Sequence, residues 1–309
     1  MFSAIAPSMG LLGVVVEMEI QCVPLETLEA RMDTIEFDQL IEVFESVVKT
    51  NKYARIVVYP NINKATIWGA NPVSSRREAI DRGAVNSPNY TNFRNDEEKE
   101  LLEKYLLYCE RGLYKKADIL LEEVLSSQVK RLQHYVGQYH HVLCKERNNG
   151  IPHADIEFNF DLKKYKQVLT TVKKFCDDER VPYYNFEIRT TKQDDAMLSC
   201  CKGRDSMWID FQAKADVSKD FFDKVESLLQ PIGFRKHWAK GLDQSNPESI
   251  MNQFNDMKKF LLIMKELDPD GKFRNIASEN WFRIMNAAAE EDSFVDRSEK
   301  KQNATICKS

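Results

Sequence analysis

ADIEFNFDLKKYKQVLTTVKKFCDDERVPYYNFEIRT, residues 154–190, is the stretch that decides the fold. Ala154 to Phe160 reads as a strand. Asp161 can cap a helix that carries Leu162, Tyr165, Leu169, Val172 and Cys176 at helical spacing. Tyr183 to Thr190 is extended again. Alternation sends Tyr184, Phe186 and Ile188 to one face and Asn185, Glu187 and Arg189 to the other. Toward the C-terminus, Asp205 to Ala213 is another strand, and Ser218 to Leu229 is a helix with Phe221, Phe222, Val225 and Leu228 inward. Ile232 to Trp238 closes the set as a last strand. The order β-α-β-β-α-β is the ferredoxin-like split unit. It predicts an α+β fold with a large antiparallel sheet and helices on one face.

Working outward to the N-terminus, Ala54–Tyr59 and Ala65–Gly69 read as short strands joined by the turn-rich Pro60-Asn61-Ile62-Asn63. Phe37, Leu40, Ile41, Phe44, Val47 and Val48 give a helix over 37–49. Val14, Val16, Met18, Ile20 and Cys22 alternate with Glu17, Glu19 and Gln21, the pattern of a half-buried strand ended by Pro24. Residues 71–95, with Pro72, Gly83 and Pro88, read as a long loop or a partly ordered excursion. From Asp96 to about Arg147 the pattern is helical and charged, with a break at Gly112. His134, His140 and His141 fall there; adjacent helical positions face apart, so they do not form a metal site. Beyond the split unit, Met251–Leu267 is an amphipathic helix stopped by Asp268-Pro269-Asp270-Gly271. Phe273–Met285 is expected to dock on the core, and the polar tail to be mobile.

Composition narrows the function. With 44 basic and 48 acidic residues in 309, the chain has no cationic excess for a nucleic-acid backbone. No apolar run reaches membrane-spanning length. The seven cysteines show no metal-ligand or redox spacing, and no metal is expected. Lys202-Gly203 resembles part of an RNA-recognition motif, but Arg204 stands where an aromatic residue is needed, and Asp205 and Asp210 make that strand acidic. There is no glycine-rich phosphate loop, H-E-x-x-H or G-x-S-x-G. Asn89-Tyr90-Thr91 and Asn303-Ala304-Thr305 are glycosylation sequons by pattern.

Two polar clusters remain. Glu187 and Arg189 share one strand face, either as a solvated surface or as the wall of a pocket for a hydroxylated substrate. His237, Trp238 and Lys240 follow the last strand. Neither cluster is specific by itself.

The segments SMGLLGVVVEMEIQCVP (Ser8–Pro24), DIEFNF (Asp155–Phe160), FEIRTTKQDDAMLS (Phe186–Ser199), GRDSMWIDF (Gly203–Phe211), the run Pro231–Lys240 and LDPDGKFRN (Leu267–Asn275) occur in order at consistent spacing. Together they resemble the C-terminal part of the FAD-linked sugar-1,4-lactone oxidases, the group of D-arabinono-1,4-lactone and L-gulonolactone oxidases with their alditol oxidase relatives. The resemblance covers roughly residues 8–282 and is weakest over 71–150. It implies the cap domain of the vanillyl-alcohol-oxidase-type flavoenzymes over 25–286, the terminal strand of a largely absent FAD-binding domain over 1–24, and a tail over 287–309.

It further implies FAD as cofactor, a sugar lactone as substrate and molecular oxygen as acceptor. Any membrane association is expected to be peripheral, in an intracellular protein. The family's substrate-contacting glutamate and arginine match Glu187 and Arg189, and its active-site lysine matches Lys240. Its flavin-contacting histidine matches His237, and backbone lying against the flavin matches Gly13 and Val14. Glu187 is expected to hold Arg189. A threonine that touches substrate in the alditol oxidases has no counterpart around Asp210–Gln212, which counts against an alditol. The isolated chain is expected to retain no FAD and to show no turnover.

Overall fold

The computed structural model describes residues 2–87, 95–143, 151–240, 252–276 and 278–279. The sequons, most of the Phe273–Met285 stretch and the tail lie outside the described residues. The chain divides into two compact units.

One unit comprises Met1–Glu19, Gln193–Arg204 and Gly241–Ser309. It holds the short helix α1 (Phe2–Ile5) and a helix over Met257–Leu267. Within it Leu11, Met197, Leu198, Phe254, Phe260 and Leu261 are buried, Met197 N–H donates to the Ser3 carbonyl at 2.6 Å, and Lys202 pairs with Asp256. The amphipathic helix begins at Met257, later than the sequence predicts, because Phe254–Asp256 form a turn.

The other unit, Ile20–Lys192 with Asp205–Lys240, is built on a nine-stranded sheet. Its elements in chain order are β1 (Thr27–Glu36), α2 (Phe37–Thr50), β2 (Tyr53–Tyr59), β3 (Lys64–Pro72), α3 (Arg76–Asp81), β4 (Val85–Asn86), α4 (Asp96–Glu110), α5 (Tyr114–Leu132), β5 (His134–Gln138), α6 (Tyr139–Leu143), β6 (Ala154–Asp161), α7 (Tyr165–Asp178), β7 (Phe186–Thr191), β8 (Ser206–Ala213), α8 (Ser218–Leu229) and β9 (Arg235–Lys236). The strand order is β4-β5-β1-β3-β2-β7-β8-β6-β9. Only the β4–β5 pair is parallel among the described ladders. The α+β class and the large antiparallel sheet are therefore as the sequence predicts.

The split unit is there as β6-α7-β7-β8-α8-β9. Read from the outer end inward, β9-β6-β8-β7 has the same order as β5-β1-β3-β2. The N-terminal half thus repeats the split topology, although the sequence has no fixed-period repeat. The halves meet where β2 pairs with β7, in the register Ile56↔Ile188, Val57↔Glu187, Val58↔Phe186.

Alternation then divides the core. Ile56, Val58, Phe158, Phe186, Ile188 and Phe211 face α2, α7 and α8. Val57, Tyr59, Trp68 and Met32 face the α4–α5 hairpin. Helices cover one face of the C-terminal half, as expected, but the N-terminal half carries helices on both. Because α4 and α5 pack over the N-terminal strands, the same face farther along, over β7, β8 and β6, is lined instead by polar side chains.

Several local expectations change. Residues 14–23 are extended but belong to no ladder, and Val14, Val16 and Ile20 are 75%, 93% and 72% exposed. Alternation makes a half-buried strand only where an edge is present to pair with it, and among the described residues none pairs with this segment. Pairing begins at Thr27, in a strand the sequence hid behind Glu29, Arg31 and Asp33. The stretch 71–95 contains α3 and β4, and the charged helical stretch contains β5. Despite adjacent positions, the rings of His140 and His141 lie 4.1 Å apart in the five-residue α6. The last strand shrinks to Arg235–Lys236 beside a turn at Gly233, whose φ of +80° favours glycine.

Strand β7 starts at Phe186 rather than Tyr183. Asn61 donates to the carbonyls of Val181 and Tyr183 at 2.9 and 3.1 Å and accepts from Val181 N–H at 3.1 Å. That clamp holds the preceding segment out of the ladder. Tyr184 accordingly packs in the second cluster, beside Tyr105, and not on the face of Phe186 and Ile188.

Candidate active site

The register β7–β8–β6 aligns Glu187↔Asp210↔Glu157 and Arg189↔Trp208↔Asn159. Side chains directly opposite one another project from the same face. Two polar rungs therefore cross three strands. Val57, opposite Glu187, belongs to the α4–α5 face, which fixes the face for the whole set. His237 and Lys240 reach it from the turn after β9. His237 N–H extends the ladder to the Glu157 carbonyl at 3.0 Å, and Lys240 N–H donates to the His237 carbonyl at 3.3 Å.

The pairing differs from the expectation that Glu187 holds Arg189. Glu187 is gripped by Arg55 of β2 through both oxygens, with Arg55 Nε donating at 3.1 Å. Arg189 donates to Glu157 instead: Nε to Oε1 at 2.9 Å and Nη2 to Oε1 and Oε2 at 2.5 and 2.8 Å. Arg55 is the diagonal neighbour of Glu187 across the β2–β7 pair, within reach of a long side chain. The Arg189 guanidinium also sits 5.7 Å from the Trp208 ring centroid, a cation–π distance. Trp208 is fixed by donating to Thr191 Oγ1 at 2.8 Å.

Lys240 closes the cluster. Its Nζ stands 2.6 Å from Asp210 Oδ2, 3.2 Å from Glu157 Oε2 and 3.2 Å from Asp155 Oδ2. Burial works against its charge, but these carboxylates outweigh burial and raise its pKa. Burial also pushes Asp210 up, to about 7, with Lys240 opposing and Glu157 and Asp155 adding to the rise. Burial lowers the pKa of His237 despite Glu157 nearby. Ala239 N–H donates to His237 Nδ1 at 3.1 Å, so the hydrogen of the neutral ring sits on Nε2.

The fold thus brings Glu187, Arg189, His237 and Lys240 together, although they come from two strands and a turn. Gly13 and Val14 belong to the other unit. There Gly13 has φ +130°, nothing lies within 4 Å of where its Cβ would be, and Val14 is exposed. Arg55, Asp155, Glu157 and Asp210 were not read from the sequence as site residues. The alternation Asp155, Glu157, Asn159 against Ile156, Phe158, Phe160 was the available signal.

The antiparallel split-topology sheet has relatives of known structure. The chain matches the D-arabinono-1,4-lactone oxidase family over residues 18–285, and it belongs to that family. It is 26% identical over 306 residues to an L-gulonolactone oxidase of Scyliorhinus torazame, covering 91% of this chain and 63% of that protein. It is 23% identical over 280 residues to an L-gulono-1,4-lactone dehydrogenase of Mycobacterium tuberculosis, covering 87% and 60%. The chain therefore spans somewhat under two thirds of the length of these relatives. Among solved structures, a solvent-stable cholesterol oxidase superposes with a TM-score of 0.68 at 14% identity, covering 84% of this chain and 60% of that one. A cholesterol oxidase of Brevibacterium sterolicum gives 0.64 at 12%, covering 85% and 60%. These two share the fold.

Proposed function

We propose that this chain is the substrate-binding part of an FAD-dependent aldonolactone oxidase. Its reaction is oxidation of a sugar 1,4-lactone by molecular oxygen, with hydrogen peroxide as co-product and a lactone of the ascorbate or erythroascorbate type as product. The observation that carries this reading is the meeting of Glu187, Arg189, His237 and Lys240 on one sheet face, in a chain of this family.

Bound FAD would supply the two-electron acceptor for a carbinol C–H. On the polar face, neutral His237 keeps Nε2–H to donate to such a group. Arg189 and Lys240 bring positive charge to the substrate oxygen as it loses its hydrogen, in a partly desolvated setting where charge acts strongly. Glu187, fixed by Arg55, offers lone pairs to the other substrate hydroxyls. The curated relatives are named both as oxidases and as a dehydrogenase; oxygen is the acceptor proposed here. Among the described residues no helix is long and apolar enough to cross a membrane, and any membrane association is proposed to be peripheral.

The test is lactone-dependent peroxide release for wild type and Lys240→Met, each joined to an FAD-binding domain and loaded with FAD. Lys240→Met is expected to cut kcat by about 10²–10³, the scale of one lost charge-stabilising donor, and to change KM less. Absence of flavin-dependent peroxide in that joined protein would favour a ferredoxin-like binding module instead.

A further inference from the structure

The polar face carries more carboxylates than cations. From β2 comes Arg55; from β7, Glu187 and Arg189; from β6, Asp155 and Glu157; from β8, Asp210; and from the turn after β9, neutral His237 and Lys240. Three of the four carboxylates are provided for. Glu187 has Arg55, Glu157 has Arg189, and the Asp155 side chain is 32% exposed to water. Asp210 is different: its side chain is 8% exposed, one oxygen rests on Lys240, and buried Oδ1 has no partner among the described residues. An unpartnered buried oxygen is costly on a carboxylate and much less so on a neutral acid.

We infer that Asp210 is the proton store behind Lys240: as Lys240 Nζ takes the proton of the substrate's carbinol hydroxyl, it passes one of its own along the 2.6 Å contact to Asp210 Oδ2. This rests on the lactone-oxidising reading above. The carbinol O–H and one lysine N–H break; a new lysine N–H and an Asp210 O–H form. Lys240 stays an ammonium and Asp210 becomes neutral, while flavin, when bound, would be the acceptor for the hydride of the same carbon. Asp210 acts through Lys240 and is a positioning residue. Its pKa, pushed by burial to about 7, lets both of its forms exist at neutral pH, which a proton acceptor requires.

Two measurements test this. In the protein joined to an FAD-binding domain and loaded with FAD, kcat/KM is expected to rise with pH through about 7, as Asp210 ionises. Asp210→Asn is expected to lose that limb and to lower kcat about 10–100-fold, somewhat below a full general-base effect, while Asp210→Glu keeps the limb. Independently, carbon-13 NMR of aspartate-labelled, flavin-free protein is expected to show one carboxyl titrating near 7. That signal is absent in Asp210→Asn and moves to higher pH in Lys240→Met, because the cation holds it down. A limb that survives in Asp210→Asn, or an Asp210 carboxyl titrating near the ordinary ~4, would overturn the inference while leaving lactone oxidation standing. Failure of the wild type to oxidise any sugar lactone would overturn the functional reading and this inference with it.

Discussion

Arg189 reaches across the whole of β8 to bind Glu157 on β6, passing over the ring of Trp208. Adjacent strands lie about 4.8 Å apart, so the guanidinium bridges roughly twice that distance. Glu157 has no exposed surface and also faces Lys240. Its cations keep other support, Arg189 being half exposed to water and Lys240 keeping Asp210 and Asp155, so loss of the buried carboxylate should cost ~1–3 kcal/mol. Glu157→Gln is therefore expected to lower stability by about that amount and to lower kcat/KM. Urea denaturation beside steady-state kinetics checks both.

Arg55 and Glu187 should behave as one unit. A double-mutant cycle of Arg55→Met and Glu187→Gln on kcat/KM is expected to show a coupling of ~0.5–3 kcal/mol. The same cycle between Glu187 and Arg189 should give a smaller value. The opposite ranking would restore the same-strand pair that the sequence implied.

The seam between the halves is aromatic. Phe186 is buried, edge-on to Phe37 with centroids 5.9 Å apart and 5.1 Å from Phe211. Phe186→Ala should cost ~3–5 kcal/mol. The polar face would lose its support with the strand, so thermal unfolding and lactone turnover should fall together.

Glu29 provides a pH test away from the site. Its carboxyl is held down to about 2, chiefly by Arg82 and also by His134 and Arg31. A depressed folded-state pKa stabilises above the unfolded value, and that stabilisation disappears as pH falls through the folded value. Glu29→Gln should thus lower stability by about 1 kcal/mol at pH 7, given partly exposed arginine partners. The difference should vanish as pH falls from about 4.5 toward about 2. Thermal scans of both proteins across that range would show the convergence.

The parts of the fold visible in sequence were those whose signal is local. Ser218–Leu229 is a helix over its full predicted length, since its aromatic and aliphatic positions repeat on one face. The hairpin around Pro60–Ile62 announced itself through its turn residues. What failed depended on neighbours. The alternation at residues 14–23 is genuine, but nothing described pairs with it. β1 was missed because Leu28, Ala30 and Met32 form a thin apolar face among charged residues of low strand preference. At the site, alternation gave the face of Glu187 and Arg189, yet their partners follow from which strands lie alongside. Nothing within FEIRTT says that its neighbours are β2 and β8. Asp210 was legible only as an acidic residue in a strand, because its environment comes from β6 and the Lys240 turn.

The β2–β7 seam has one more consequence. It rests on three register pairs, and Arg55 is the group that the N-terminal half sends across it to the polar face. A slip of one residue would turn every side chain of one strand over, and Arg55 and Glu187 would then point away from each other. The ion pair is therefore a proofreading latch: it can close only when the two halves have been zipped together in the right frame. A chain assembled one notch out would still hold a sheet, but would have dismantled its own polar face.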